Sequence, residues 1–198
     1  ILVFNACYHG TVDETFVRLE GGRAVHRPGL VGQAADLTEN TVVVEFNDIP
    51  ALEKALAAED IACVITEPVL TNSCMVLPAP GFHKALRKLT RKAGTLLLID
   101  ETHTISTGLG GYTRTHGLEP DIFVLGKPVA GGVPASVWGL SQETARQFLE
   151  TEKTRPAGHS GMGTTLSANP LQFAAMRACL AELMTKGNYA HMETLADE

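Results

Sequence analysis

The chain has 198 residues, of which 44% are hydrophobic and 19% are charged, and its formal net charge is −6. This composition excludes a disordered or highly charged tail, because enough apolar side chains are present to form a core. The acidic balance argues against nucleic acid as a partner, since phosphate binding needs a basic surface. The apolar runs are too short to cross a bilayer, so no membrane partner is expected. Its 4 cysteines are scattered without disulfide-type or metal-type spacing, which favours a cytoplasmic protein.

Short apolar runs alternate with amphipathic helical patterns along the chain. The apolar tetrad at 1–4 has the character of a strand, and further strands are predicted at 41–46, 61–65, 95–99, 122–125 and 135–138. Helices are predicted at 49–58, 81–93, 142–150 and 169–186, and an exposed loop at 151–163. Pro170 suits the first turn of the last helix, and Gly187 is expected just past its end. Strands that alternate with helices form βαβ units, which predicts an α/β fold with a mostly parallel sheet.

The first residues, Ile1-Leu-Val-Phe4, lack an initiator Met and follow no targeting segment. We interpret them as a chain that starts inside a strand. A piece of a longer protein is therefore expected.

Polar residues follow three of the predicted strands. Asp100 and Glu101 end one apolar strand, Lys127 ends another, and Glu67 and Asn72 follow a third. Ligands of parallel sheets bind beyond the carboxyl ends of the strands, where these residues are expected. A lysine delivered by an apolar strand is expected to be partly desolvated, which makes its amine nucleophilic. Taken singly, a capping aspartate and a solvated lysine are the commoner interpretations.

Three other motifs are excluded by their spacing. The pair Gly126-Lys127 does not form a phosphate-binding loop, because Pro128 stands where Ser or Thr is needed. The run Gly158-His-Ser-Gly-Met-Gly163 is out of register for a nucleophile elbow. No metal site is expected, because none of the following histidines belongs to an H-E-x-x-H pair: His9, His103, His116 and His159.

Seven motifs in one order span almost the whole chain. Together they resemble the class III (omega-type) aminotransferases, which are pyridoxal-phosphate enzymes of the aspartate-aminotransferase fold. The matching residues are Tyr8-His9-Gly10, Glu67-Pro68-Val69 with Asn72, Asp100-Glu101, Gly117-Leu-Glu-Pro-Asp121, Leu125-Gly-Lys127, Gly131-Gly-Val-Pro134 and Thr165-Leu-Ser-Ala-Asn-Pro170. The resemblance implies a three-layer αβα sandwich. It also implies that residues 1–198 are a cofactor-binding large domain. This domain would be a fragment that lacks the amino-terminal segment and the carboxyl-terminal small domain of the family.

The resemblance also implies pyridoxal 5′-phosphate as the cofactor. Lys127 would hold it as a Schiff base and would move the proton of the substrate, so Lys127 and Asp100 are the catalytic candidates. Asp100 would pair with the ring nitrogen and keep it protonated. Tyr8 would stack on the ring, Glu67 and Asn72 would bond near its hydroxyl, and Thr102 would pack on its other face. The cofactor-binding set implied by the resemblance is Tyr8, His9, Glu67, Asn72, Asp100, Thr102, Lys127 and Thr165.

The implied partners are small molecules and a second copy of the chain. The substrates would be an amino donor, such as an amino acid, a beta-amino acid or an amine, and a keto acid or aldehyde acceptor. Thr165 matches a threonine that reaches the cofactor phosphate of the neighbouring subunit, so the resemblance implies a homodimer with shared sites.

Two departures from the family pattern bear on the substrate. The family usually has Val after Asp-Glu, whereas Thr102 follows Glu101 here, and Ala135 stands where glycine is commoner. The first departure favours beta-amino-acid aminotransferases and leaves glutamate-1-semialdehyde 2,1-aminomutase as the alternative. A non-catalytic fragment that binds cofactor or packs against a partner is the alternative of another class.

Overall fold

The computed structural model describes residues 1–158, 163 and 165–198. Two compact units are present: unit 1 comprises Ile1–Asp100 with Gly117–Pro120, and unit 2 comprises Glu101–His116 with Asp121–Glu198. Most of the motif that ends at Gly163, including His159, lies outside the described residues, as does part of the loop predicted at 151–163. As far as the chain is described, no helix is long and apolar enough to cross a membrane.

Unit 1 is built on four strands that pair in parallel. In spatial order they are β4 (Val42–Val44), β1 (Leu2–Phe4), β5 (Cys63–Thr66) and β6 (Leu96–Asp100). The parallel pairing agrees with the prediction from near-continuous apolar strands. An antiparallel hairpin of β2 (Val17–Glu20) and β3 (Arg23–His26) completes the strands of this unit.

Alternating side chains give the sheet of unit 1 two apolar faces. On one face, Leu2 and Phe4 of β1 pack with the buried residues of α1 (Ile49–Leu56) and α2 (Phe82–Lys92). On the other face, Val3 packs with Val17 of the hairpin. Two strongly buried faces fix the register of β1, because a slip of one residue would exchange them. The carboxyl ends of β1, β5 and β6 are thereby held at one edge.

The described residues of unit 2 form one antiparallel strand pair and four α-helices. The strands are β7 (Ile122–Leu125) and β8 (Val137–Leu140). The helices are α3 (Gly111–Thr115), α4 (Gln142–Glu152), α5 (Pro170–Ala178) and α6 (Lys186–Asp197). The Asn169 side chain caps α5 by accepting from the backbone N–H groups of Leu171 and Gln172. Pro170 stands in the first turn of α5, as predicted.

One long helix was expected at 169–186, and this prediction is wrong. After α5 a π-helical turn at Cys179–Leu183 ends the helix, and α6 begins after Thr185. The Thr185 side chain accepts from the backbone N–H of Asn188, so it caps a new helix that the sequence analysis did not predict. Gly187 consequently lies inside α6 rather than past a helix end.

Candidate active site

The first part of the candidate site lies at the carboxyl-terminal edge of the parallel strands in unit 1. Tyr8 and His9 follow β1, Glu67 follows β5, and Asp100 is the last residue of β6. Because parallel strands end at the same edge, three separate segments meet here. The structure brings all four of these predicted residues together within unit 1.

His9 and Asp100 form a closely packed pair. The Nδ1 atom of His9 lies 2.9 Å from Oδ2 of Asp100, and the two side chains are only 3% and 13% exposed. Burial on its own lowers the pKa of His9, but the hydrogen bond to Asp100 and the neighbouring Cys7 sulfur outweigh it and raise that pKa to about 9. His9 is therefore a cation at neutral pH, and its Nδ1–H donates to the carboxylate.

Cys7 and Arg27 lie behind this pair and were not predicted as site residues. The Arg27 guanidinium donates to the Cys7 carbonyl oxygen and lies 3.9 Å from the Cys7 sulfur. The Nε2 atom of His9 is buried and has no hydrogen-bond partner among the described residues. Cys7 stands two residues from His9 in the sequence, and this proximity is only a weak indication that Cys7 belongs to the site. Arg27 follows the β2–β3 hairpin, which the sequence analysis missed, so no signal could have found it.

Glu67 is a buried carboxylate that organises the loop around Tyr8. One oxygen accepts from the Tyr8 backbone N–H at 3.3 Å, and the other accepts from the backbone and hydroxyl of Thr71 at 3.2 and 2.6 Å. Glu67 is only 4% exposed, whereas the Tyr8 side chain is 45% exposed. Its bonds therefore fix the backbone that presents the Tyr8 ring. Asn72, in the turn that begins at Thr71, is exposed.

Lys127 and Thr102 lie in unit 2. Lys127 directly follows Gly126 at the end of β7, and a Cβ atom added to Gly126 would lie 3.7 Å from the Thr102 methyl carbon. The structure thus brings Thr102 to the strand end that carries Lys127. Lys127 adopts a left-handed backbone conformation with φ of 46°, which is uncommon for a residue with a side chain.

The expected partial burial of Lys127 is not found, because its side chain is exposed. Lys127 opens a short 3-10 helix in which Val129 and Ala130 are the buried residues. The core contacts of this turn therefore come from the residues after Lys127. Thr165 is also exposed and lies in a turn before α5.

Glu101 is the neighbour of Asp100 in sequence, but its bonds hold the fold of unit 2. Its side chain is 0% exposed and accepts from the Thr104 hydroxyl at 2.5 Å and from the backbone N–H groups of Tyr112 and Thr113. A buried carboxylate with three donors anchors the start of α3. We therefore assign Glu101 a structural role.

These groups have the chemistry that pyridoxal phosphate requires. Lys127 offers an exposed amine, Asp100 a carboxylate paired with a cation, and Tyr8 an exposed aromatic ring. An amine, a carboxylate for the ring nitrogen and a flat apolar surface are the recurring protein contributions to this cofactor. Each of these side chains, taken within its own unit, therefore fits one contribution that the group needs.

An α/β fold with a mostly parallel sheet and functional side chains after its strands defines a broad class of ligand-binding proteins and enzymes. Within that class, residues 1–197 match the family model described as aminotransferase class-III. The chain belongs to the class III aminotransferase family, and its predicted fold class is confirmed.

Curated and solved relatives support the same family. Glutamate-1-semialdehyde 2,1-aminomutase 2 from Brevibacillus brevis is 36% identical over 99% of this chain and 45% of its own length. A crystal structure of a glutamate-1-semialdehyde aminomutase from Pseudomonas aeruginosa PAO1 is 51% identical, with a TM-score of 0.93 over 99% of this chain and 44% of that one. A variant of that protein was solved in complex with PMP. An omega-transaminase from Sphaerobacter thermophilus is 29% identical, with a TM-score of 0.80 over 94% of this chain and 44% of that one.

These relatives favour one of the two enzymatic alternatives, the aminomutase, over the beta-amino-acid aminotransferase. The chain spans about 45% of the length of the curated relatives it matches. The Thr102 departure favours beta-amino-acid aminotransferases, but the similarity of the chain is stronger to aminomutases. One side chain beside the site carried less information than identity over the whole chain.

Proposed function

We propose that the protein catalyses a pyridoxal-phosphate-dependent exchange of amino and oxo groups, with glutamate 1-semialdehyde as its substrate. The observation that carries this proposal is the 51% identity and the TM-score of 0.93 to a glutamate-1-semialdehyde aminomutase. The arrangement of Tyr8, His9, Glu67 and Asp100 at one sheet edge supports the cofactor assignment.

In this proposal the cofactor supplies an electron-withdrawing ring that stabilises a carbanion next to the transferred nitrogen. Lys127 would hold the cofactor through its amine, and would then accept and return the proton of the substrate carbon. Asp100, backed by His9, would bind the ring nitrogen and keep its proton in place. Tyr8 would cover one face of the ring and exclude water from it.

The remaining residues would complete the site. Asn72 would bond near the ring hydroxyl, while Glu67 would act there by fixing the Tyr8 loop. Thr102 would pack on the second face of the ring. Thr165 would contact the cofactor phosphate of a second subunit, which makes the proposed assembly a homodimer. We further propose that this chain forms the cofactor-binding large domain of a cytoplasmic enzyme.

A second candidate is transamination between two separate substrates. It is supported by the similarity to the omega-transaminase and to a beta-phenylalanine aminotransferase from Variovorax paradoxus, which is 27% identical with a TM-score of 0.73. An aminomutase exchanges the two groups within one molecule and needs no acceptor, whereas an aminotransferase needs a keto acid or an aldehyde. Turnover of glutamate 1-semialdehyde without any acceptor supports the first candidate. Turnover of beta-amino acids that depends on an added keto acid supports the second.

Replacing Lys127 tests the chemistry common to both candidates. With pyridoxal phosphate, the unaltered protein should show an absorption band near the visible edge. Borohydride should abolish this band and leave the cofactor permanently attached, because it reduces the C=N bond to a C–N bond. Lys127→Ala should lose the band and should lower turnover by about 10²–10⁴-fold, the contribution of a positioned general base. Lys92→Ala, which removes another exposed lysine, should change neither. A Lys127→Ala protein that keeps its turnover would contradict the assignment.

A further inference from the structure

The short 3-10 turn that begins at Lys127 has a strained first residue and a rigid second one. Lys127 has φ of 46°, in the left-handed region that side chains rarely adopt, and the following Pro128 restricts its backbone further. The ring of Pro128 locks the φ angle of that residue. Whatever holds the Pro128 carbonyl therefore also holds the Lys127 carbonyl, because only one free rotation lies between the two groups. A strained conformation persists only where its surroundings keep it in place.

Two donors hold the Pro128 carbonyl oxygen. Within the turn, the backbone N–H of Gly131 donates to it at 3.1 Å. The Cys179 thiol, 51 residues further along the chain, donates to the same oxygen at 3.0 Å. A carbonyl oxygen has two lone pairs, so the second donor fixes the direction of this carbonyl more closely than the turn alone can.

Cys179 is itself held in place, at the point where α5 passes into the π-helical turn Cys179–Leu183. Its backbone N–H donates to the Ala175 carbonyl, and its own carbonyl accepts from the Met184 N–H at 2.9 Å, five residues on, as in a π-helix. Both α5 and the π-helical turn pack against the turn that carries Lys127. Cys179 is only 5% exposed, so its thiol has a fixed origin and little surface with which to touch a substrate.

We propose that Cys179 is a positioning residue for Lys127: its thiol holds the Pro128 carbonyl, and the locked proline transmits this hold to the Lys127 backbone. This inference rests on the proposed function, in which the Lys127 amine accepts and returns the proton of the substrate carbon. Proton transfer needs the amine at a defined place, and a displacement of about 1 Å can lower a rate by about 10²-fold. A thiol is a weak donor, so the effect of losing it is smaller than that.

Two substitutions separate the hydrogen bond of Cys179 from its bulk. Cys179→Ala removes the donor, whereas Cys179→Ser keeps a hydroxyl donor for the Pro128 carbonyl and is almost as small as alanine. Cys63→Ala is the matched control, since Cys63 is a partly buried cysteine of unit 1 whose thiol donates to the Val64 carbonyl instead. Circular dichroism and thermal unfolding of each variant report whether the protein has folded.

The kcat and KM of turnover are the first readouts. We expect Cys179→Ala to lower kcat by about 3–10-fold, the kinetic equivalent of one weak hydrogen bond, with KM little changed. Cys179→Ser should stay within about twofold of the unaltered protein, because a donor is retained. A Cys179→Ser protein as impaired as Cys179→Ala would overturn positioning by a hydrogen bond, since lost bulk would then explain both. An equal loss in Cys63→Ala would also overturn it, because the effect would not be particular to the Lys127 turn.

A second readout needs neither cofactor nor turnover. In the cofactor-free protein, NMR should show that the Gly131 amide exchanges its hydrogen about 3–10-fold faster in Cys179→Ala, because the carbonyl that it bonds to is held less firmly. Cys179→Ser should restore the slower exchange. The Gly94 amide, which donates to the Arg91 carbonyl in unit 1, is the internal control and should not change. Unchanged exchange at Gly131 in Cys179→Ala would overturn the hold on the turn.

The two proposals fail in different ways. Unaltered protein that captures no pyridoxal phosphate at Lys127 would overturn the proposed function. Unaltered protein that captures it and turns over substrate, with Cys179→Ala equally active, would overturn only the role of Cys179.

Discussion

Asp100 and Glu101 are adjacent carboxylates, yet their partners give them different tasks. Asp100 contacts the imidazole of His9 and keeps part of its surface exposed. Glu101 is fully buried and binds the donors at the start of α3. The sequence predicts both residues at one strand end, but it does not show the task of Glu101, because its partners Thr104 and Tyr112 lie in a short 3-10 helix and in α3, which carry no recognisable motif. Side-chain environment distinguishes the two residues where residue type does not.

The buried cation at His9 should make the stability of the protein depend on pH. The folded pKa of about 9 lies above the ordinary 6.5, so between these values the folded protein binds more protons than the unfolded chain. The stabilisation is complete below pH 6.5 and is lost as the pH rises through 9. We expect the free energy of unfolding to fall by about 3 kcal/mol across this window.

Urea unfolding at pH 6, 7.5 and 9.5 measures this dependence, with roughly one pH on each side of the window and one inside it. His9→Asn should show a flatter profile because it carries no titrating group at this position. Parallel profiles for the unaltered protein and His9→Asn would show that His9 does not carry the effect.

At the scale of elements, α3 depends on a close approach between its first residue and Glu101. Gly111 has φ of 70°, and a Cβ atom added there would lie 2.7 Å from Oε2 of Glu101. Gly117 has a similar φ of 61° with nothing within 4 Å of such an atom. An alanine would therefore be strained by the backbone conformation at either position, but only at position 111 would its Cβ atom also collide with Glu101.

Substituting alanine at these two positions isolates that contact. Gly117→Ala should lower the free energy of unfolding by about 1 kcal/mol, the cost of a left-handed conformation alone. Gly111→Ala should lower it by about 3 kcal/mol, because the displaced Glu101 carboxylate also loses hydrogen bonds. Urea unfolding of both variants gives the difference. Equal losses would mean that Glu101 can move away without cost.

The elements that could be predicted are those whose signal is local. Apolar runs bounded by turn residues predicted β7 and came close to β5 and β6. The β2–β3 hairpin was missed, because its strands are short and partly polar. The break before α6 was missed because it depends on a single capping threonine, Thr185, within a helical pattern. Weak local preferences of this kind are decided by tertiary packing.

At the scale of the whole molecule, ordered motifs predicted the family, and the family fixed the fold class. Parallel pairing then explains why Tyr8, His9, Glu67 and Asp100 converge, although 91 residues separate His9 from Asp100. The exposure of Lys127 and the supporting contact of Arg27 could not be predicted, because both depend on how segments distant in sequence pack. The comparisons support the aminomutase alternative better than the beta-amino-acid prediction, because that prediction rested on the single side chain of Thr102, whereas the similarity to aminomutases extends over the whole chain.

If the proposed dimer is correct, two variants that are each inactive on their own should restore one active site when they are combined in a single dimer. If each site combines Lys127 of one subunit with Thr165 of the other, a mixed dimer of Lys127→Ala and Thr165→Ala contains one intact site and one doubly altered site. Dimers carrying two different affinity tags can be co-expressed and purified by both tags. At a cofactor concentration too low to saturate Thr165→Ala, the mixed dimer should show about half of the unaltered activity.

The matched control is a mixed dimer of Lys127→Ala and Lys127→Arg, in which every site lacks the native lysine wherever Thr165 lies. It should remain inactive, which excludes contamination by unaltered protein. If the first mixed dimer is no more active than the mean of its two parents, Thr165 does not act across the interface. If light scattering shows a monomer that nevertheless turns over substrate, the shared site itself is wrong. The complementation thus tests Thr165, which is exposed within a single chain, by a gain of activity that a general loss of stability cannot produce.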